Sequence, residues 1–222
     1  LVALSVALAV ALNNQTAGSD KSADSKWAAD YAAIRDKLPL HFNQLVDIPT
    51  IGTRDSEWFS VADELYLAFA SDKNNEGTKD INSQIWHFNR TDRTFVLHQN
   101  INVYSAHDVD AMVLRGETYL TFASKGAPDG SKSGTKLFKY NAETTKFDVY
   151  QDIDVEGKYI RDIDHFTHDG ADWLILCISE RKNEQGNIVN DAMSELHKWN
   201  TKTEKFEFYQ NLPSIGARDA EF

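Results

Sequence analysis

A unit of 50 to 60 residues recurs along this chain, and that self-similarity restricts the fold more than any single motif does. Asn89, Asn141 and Asn200 are each followed six residues later by Phe95, Phe147 and Phe206. Four residues further come Gln99, Gln151 and Gln210, and two beyond those Ile101, Ile153 and Leu212. Before each Asn stands a small-polar, aliphatic, aromatic pattern: Ser83, Ile85 and Phe88; Thr135, Leu137 and Tyr140; Ser194, Leu196 and Trp199. An acidic pair recurs as Asp55 and Glu57, Asp108 and Asp110, Asp162 and Asp164, Asp219 and Glu221, at intervals of 53, 54 and 57 residues. Eleven residues after the first three of these Asp positions an aromatic opens a further apolar run, at Tyr66, Tyr119 and Trp173, with Gly116 or Asp169 and Gly170 supplying the preceding turn in two copies.

Each copy therefore predicts four short strands and no helix. Four antiparallel strands cannot bury both faces alone, and radial stacking of such units solves that problem as a β-propeller. A β-sandwich does not require so long a repeat, and β-solenoid coils are usually shorter. The expected fold class is all-β, a β-propeller over residues 40–222 with three four-stranded blades and the start of a fourth, the chain stopping in mid-blade. Residues 1–24 read as an apolar segment resembling a signal-peptide core followed by a polar linker. The missing basic leader and initiator Met suggest a chain truncated at its start, and a lipoprotein-like or fraying tail is the alternative to secretion. Residues 1–12 are too short to cross a bilayer. A short N-terminal helix is expected over 25–39, from Trp27, Tyr31, Ile34 and Leu38 on one face and Pro39 as stop.

The repeats resemble those of a known family, the EAR or EPTP (epitempin) repeat of the leucine-rich glioma-inactivated proteins and related secreted proteins. The matching residues are Phe206, Gln210 and Leu212 through Phe222, with Tyr66 through Ala70, and Ser83 and Ile85 through Asn89. The resemblance covers about residues 40–222. It implies a seven-bladed propeller, usually extracellular, that binds receptors or other surface proteins and has no established catalytic role. The leucine-rich repeats of the namesake proteins are absent, so their particular partners do not carry over.

Composition limits the functions further. Lys and Arg total 23 against 34 Asp and Glu, and a net charge of −11 repels a phosphate backbone, so nucleic acid is excluded as the expected partner. One cysteine, Cys177, cannot form an internal disulfide and lies in an apolar run, as a buried inert thiol does. No Gly-x-Ser-x-Gly elbow or phosphate loop is present, which leaves acyl and phosphoryl chemistry without candidates.

The acidic pairs are the candidate site. In an extended strand residues i and i+2 share a face, so Asp55 and Glu57, Asp108 and Asp110, Asp162 and Asp164, and Asp219 and Glu221 each place two carboxylates about 6–7 Å apart. At an effective dielectric of 20 such neighbours repel by roughly 2–3 kcal/mol, so a ring of them calls for counter-charge. Ca2+ is one solution, since hard oxygen ligands suit it. The other is arginine: Arg54, Arg161 and Arg218 precede three pairs, with His107 in the fourth copy, and are placed to bridge to carboxylates of the next blade. Asp152, Asp154, Glu156 and Gly157 resemble half of an EF-hand loop, but its twelfth position is Ile163. His165 and His168 read as ordinary histidines, and Asn14 and Asn89 head glycosylation acceptor patterns.

The expected function is a secreted or surface-exposed protein-interaction module and not an enzyme. Its specificity would sit on the variable loops Ser71–Asn82, Ser124–Ser133 and Ser179–Met193, which carry Lys73, Lys79, Lys125, Lys132, Arg181 and Lys182. Two alternatives are a glycan-binding, lectin-like propeller and a carboxylate-based glycoside hydrolase. A catalytic pair would be asymmetric, whereas these pairs recur in every copy.

Overall fold

The computed structural model describes residues 46–125, 134–153 and 158–221. The expected helix at 25–39, the apolar segment at 1–24 and the EF-hand-like residues Asp154, Glu156 and Gly157 lie outside that range. The described residues are all-β, without a helix.

Three successive sheets form, each from strands that are neighbours in sequence. β1 (Thr53–Val61), β2 (Glu64–Ser71), β3 (Ser83–Asn89) and β4 (Thr94–Ile101) pair in that order. β5 (Ala106–Leu114), β6 (Glu117–Ser124), β7 (Lys136–Asn141) and β8 (Lys146–Asp152) repeat the arrangement. β9 (Lys158–His168), β10 (Ala171–Lys182), β12 (Ser194–Asn200) and β13 (Lys205–Leu212) repeat it again, with β11 (Ile188–Val189) pairing only with Arg181 and Lys182 at the end of β10. All pairings are antiparallel. Three such four-stranded meanders side by side are the blade arrangement of a β-propeller. Residues 213–221 hold no strand, so the fourth copy contributes its acidic pair from irregular backbone.

Local chemistry repeats with the sheets. The turns joining first to second strands have positive φ at both central residues, Ala62 and Asp63, Arg115 and Gly116, Asp169 and Gly170, as tight hairpins with the natural strand twist require. In the turns joining third to fourth strands the Asn side chains of Asn89, Asn141 and Asn200 accept from backbone N–H groups two residues on. That explains the recurrent Asn, and it commits the Asn89 side chain to a turn. Ser83, Thr135 and Ser194 accept from the backbone N–H of Ser71, Ser124 and Ile178 at 3.1, 3.1 and 3.3 Å, so the small-polar residue of each repeat ties its third strand to the end of its second.

The core is two seams between sheets. Tyr119 and Leu120 are adjacent and point to opposite faces of the middle sheet. Tyr119 joins Met112, Ala123 and Leu137 against Ile163, Leu174, Leu176 and Phe206 of the third sheet. Leu120 joins Val109, Phe122, Phe138 and Phe147 against Phe59, Tyr66, Ala68 and Ile85 of the first. Cys177 is buried and its thiol is pushed up to about 12 by burial and by Asp162, which makes it inert as expected.

Candidate functional site

Side chains from each sheet complete the backbone of the next. Edge strands carry unpaired N–H and C=O groups that must be satisfied where they are covered. Along the first strands, Asp55 accepts from Val109 N–H at 3.1 Å, Asp108 from Ile163 N–H at 3.1 Å and Asp162 from Ala220 N–H at 2.9 Å. Each donor is the residue after the first acidic residue of the following copy. Along the last strands, Gln99 receives Phe147 N–H at 2.8 Å and donates to the Phe147 carbonyl at 2.8 Å, and Gln151 treats Phe206 the same way at 3.0 and 2.7 Å. A third contact joins His98 Nε2–H to the Thr145 carbonyl at 2.6 Å and the Tyr150 hydroxyl to the Glu204 carbonyl at 2.8 Å. His98 and Tyr150 are the extra residues of bulges in β4 and β8, which aim them out of the ladder.

The Gln contact was visible only as a constant offset, without a role. Gln99→Ala leaves one donor and one acceptor of Phe147 without their partner amide, so the expected loss is about 2–4 kcal/mol of stability. Gln99→Glu keeps the acceptor but loses the amide donor and sets a carboxylate against the Phe147 carbonyl. Urea unfolding of both variants checks this, and a loss below about 0.5 kcal/mol for each would remove the amide pairing as a source of stability.

The acidic pairs converge where β1, β5 and β9 pack together. Asp55, Glu57, Asp108, Asp110, Asp162 and Asp164 are half-buried, whereas Asp219 and Glu221 are exposed. Burial and the neighbouring Asp110, Asp55 and Asp164 push Glu57 up to about 7. Burial and Asp164 push Asp110 up to about 7, and burial and Asp219 push Asp162 up to about 6. Asp108, between Asp55 and Asp162, is raised to about 9 by burial and those two charges. Asp110 Oδ2 is buried with no hydrogen-bond partner. Oxygen-only donors of this kind match Ca2+ chemically. Among the described residues, however, no group of three or more His, Cys, Asp or Glu is arranged to hold a metal ion.

Arg54 and Arg161, expected to bridge to acidic pairs, take other partners. Arg54 pairs with Asp72 at 2.9 Å, and Arg161 approaches Glu180 at 3.5 Å and Ser179 at 3.2 Å. Arg54, His107 and Arg161 each sit in a bulge directly before the Asp, which turns them onto the end of the second strand of their own or the neighbouring sheet. Strict alternation of a regular strand does not reveal that. His165 bonds across the hairpin to Asp172 at 3.3 Å, and His168 is exposed beside Asp169 at 3.4 Å, so neither joins the carboxylates.

Among the described residues, the loops after β2 and β10 share one side with these cations. Both have the same built turn: Asn74 Oδ1 accepts from Glu76 and Thr78 N–H, and Asn183 Oδ1 from Gln185 and Asn187 N–H. Gly77 and Gly186, at positive φ, donate to the Asn74 and Asn183 carbonyls at 3.0 and 2.9 Å. Gly52 packs so closely on Lys73 that a Cβ there would lie 1.8 Å from the Lys73 carbonyl oxygen, and this fixes the root of the first loop.

Comparison with known proteins places the repeat. Residues 94–141 match the EPTP domain family model. That span runs from β4 to β7, the last strand of one sheet and the first three of the next, and it contains Gln99, Asp108, Asp110 and Tyr119. The thrombospondin-type laminin G domain and EAR repeat-containing protein of Mus musculus is 29% identical over 132 residues, 60% of this chain and 19% of that protein. Its Homo sapiens counterpart is 28% identical over the same shares. The chain thus spans about a fifth of the length of the curated relatives it matches. Among solved structures, a GH43_1 enzyme from Xanthomonas citri complexed with xylotriose aligns at 15% identity and a TM-score of 0.44, over 76% of this chain and 60% of that one. A GH32 β-fructofuranosidase of Bombyx mori aligns at 13% and 0.39, over 71% and 37%. No helix among the described residues is long and apolar enough to cross a membrane.

Proposed function

We propose that this EPTP-repeat chain is part of a secreted or surface-exposed β-propeller, seven-bladed in its full form, that binds other proteins through the loop side of its sheets. The observation that carries this reading is the pair of preformed loops, Asn74–Thr78 and Asn183–Asn187, rooted on a rigid array. Ordered loops pay less entropy on binding. The similarity to proteins named for laminin G domains and EAR repeats supports an extracellular setting.

Turnover has weaker support. Asp55, Asp108 and Asp162 each hold a backbone N–H of the following copy, so three of the six half-buried paired carboxylates are occupied in packing. The full-length chain is expected to bind at least one member of an array of secreted and cell-surface ectodomains saturably, and to release no sugar from a glycoside panel. Replacing 74–78 and 183–187 with Gly-Ser linkers should abolish that binding while circular dichroism stays unchanged. Binding indifferent to both loops, or hydrolysis of any glycoside, would overturn the reading. Binding confined to a glycan array would favour the lectin-like alternative.

For the carboxylate convergence we propose Ca2+ as a counter-charge, supported by the crowding of acids and the unpartnered Asp110 Oδ2. Millimolar Ca2+ is then expected to raise the midpoint of thermal unfolding above that in EDTA, with the rise lost in Asp110→Asn. An unchanged midpoint would assign the counter-charge to protons alone.

A further inference from the structure

The cations at the loop-side ends of β5 and β9 are explained by neither the sheet packing nor the carboxylate convergence. Lys125, just after β6, and Arg161, in the bulge of β9, share one acid: Glu180 Oε2 lies 3.4 Å from Lys125 Nζ, and Oε1 lies 3.5 Å from Arg161 Nη2. Arg161 Nη1 is 3.4 Å from His107 Nδ1. His107 is only 7% exposed, its Nε2 is 3.7 Å from Asp72 Oδ1, and that nitrogen has no hydrogen-bond partner. The contrast is within the same network: Arg54 holds Asp72 Oδ2 at 2.9 and 3.1 Å, and Ser105 holds Asp72 Oδ1 at 2.5 Å. Asp72 is well satisfied, whereas Glu180 is stretched between two cations beyond the usual length of a charge-assisted bond.

Among the described residues one carboxylate serves these two cations, which is a locally positive group in a chain whose total is −11. Lys125 and Arg161 are 17% and 25% exposed, so solvent reaches them while much of their surroundings is protein. Tyr159 lies under Lys125, with its ring centre 5.4 Å from Nζ. The crowding shows in the titrations. Burial and then Arg161 hold Lys125 below the ordinary lysine range. Burial pushes His107 down to about 4, with Arg161, Lys125 and Arg54 adding to it and Asp72 opposing.

We propose that Lys125 and Arg161 bind a carboxylate side chain from an acidic peptide segment of a protein partner, which enters beside Glu180 on the loop side. This rests on the reading of the loop side as a protein-binding surface, and it names the chemistry of the partner. A peptide carboxylate fits because the resident counter-ion is itself a Glu side chain at unsatisfied distances. The built turns begin two residues after Asp72 and three after Glu180, so both leave their sheets next to the acids of this network. In a chain of net charge −11, an acidic segment gains only where cations gather, and this gives the contact its specificity.

The test uses the full-length chain and a fluorescein-labelled hexaglutamate peptide, read by anisotropy, with hexaglutamine as control and a heparin fragment as competitor. Saturable binding of hexaglutamate and none of hexaglutamine is expected. Lys125→Gln and Arg161→Gln should each weaken it by about tenfold, the scale of one charge-assisted contact. Glu180→Gln, which removes the internal competitor, should strengthen it severalfold; a merely structural ion pair would not give that gain. Should Arg161→Gln fail to fold, Lys125→Gln and Glu180→Gln still decide. Absence of saturable hexaglutamate binding, equal affinity in the Lys125 and Glu180 variants, or heparin binding that hexaglutamate does not displace would overturn the proposal. Ectodomain binding that persists unchanged in Lys125→Gln would remove this site and leave the interaction module standing, whereas loss of all ectodomain binding would remove the module itself.

Discussion

Replacing Phe147 with alanine is expected to cost about 3–5 kcal/mol of stability, the range for emptying a buried phenylalanine site. Phe147 is 2% exposed and crosses the first seam, meeting Phe59 edge-on at 5.6 Å and Tyr140 of its own sheet at 5.3 Å. Its backbone is held by Gln99, so the strand cannot collapse into the void and recover the lost contacts. Phe95 occupies the same place in the preceding copy but is only half-buried in the described structure. Phe95→Ala should therefore cost about 1–2 kcal/mol, close to the transfer of a partly exposed ring. Urea unfolding of both variants decides the matter. Equal losses would mean that stability lies within the sheets and not in the seams.

Raising pH from 5 to 8 is expected to destabilise the fold by about 2–4 kcal/mol, opposite to the usual behaviour of native carboxylates. Glu57 and Asp110 at about 7, Asp162 at about 6 and Asp108 at about 9 all lie above the unfolded value near 4. The folded chain keeps these protons after the unfolded chain has released them. Their contribution is complete below pH 4 and is lost as pH climbs through the folded values. Each group can add at most about 1.4 kcal/mol per pH unit. Glu57 and Asp162 retain solvent access and add less because water screens them. Asp72 and Glu195 run the other way: hydrogen bonds from Ser105 and Arg54, and from His197 and Lys158, hold them below the ordinary range against their burial, so their contribution disappears on acidification. The two trends place the optimum on the mildly acid side of neutral. Asp110→Asn should flatten the decline and be more stable than the parent at pH 8, measured by urea midpoints at unit pH steps. A parent that grows more stable from pH 5 to pH 8 would show that the acids ionise without cost.

The architecture was legible because each strand of the repeat carries a marker with one local job. Asn89, Asn141 and Asn200 make turns, Ser83, Thr135 and Ser194 tie strands, and Tyr66 and Tyr119 fill seams. These tasks depend on near neighbours, which spacing reports well. The pairing of acids by strand alternation was also readable, and Asp55, Glu57, Asp108, Asp110, Asp162 and Asp164 do converge. Two features escaped. Bulges at Arg54, His107 and Arg161 shift the face on which a side chain emerges, so the partners Asp72 and Glu180 are not given by a period of two. The amide of Gln99 acts on the backbone of Phe147, 48 residues away, and a side chain that serves peptide groups imposes no identity on its target. Only the recurrence of glutamine at a fixed offset signalled it.

The bonds from Asp55, Gln99 and His98, and from Asp108, Gln151 and Tyr150, all run forward along the chain. In these bonds each unit offers side chains ahead and receives them from behind, with Lys146 Nζ donating back to the His98 carbonyl as a return contact, so the array grows like a head-to-tail polymer with a fixed sense. The middle unit has the complete complement, accepting from the first what it gives to the third. A duplicate of it inserted between its neighbours would find both joints already made, and a unit inserted in reverse would find neither. Lengthening such a protein by gene duplication therefore demands no new interface, while every substitution at Asp108 or Gln151 is felt by the downstream neighbour before it is felt at home.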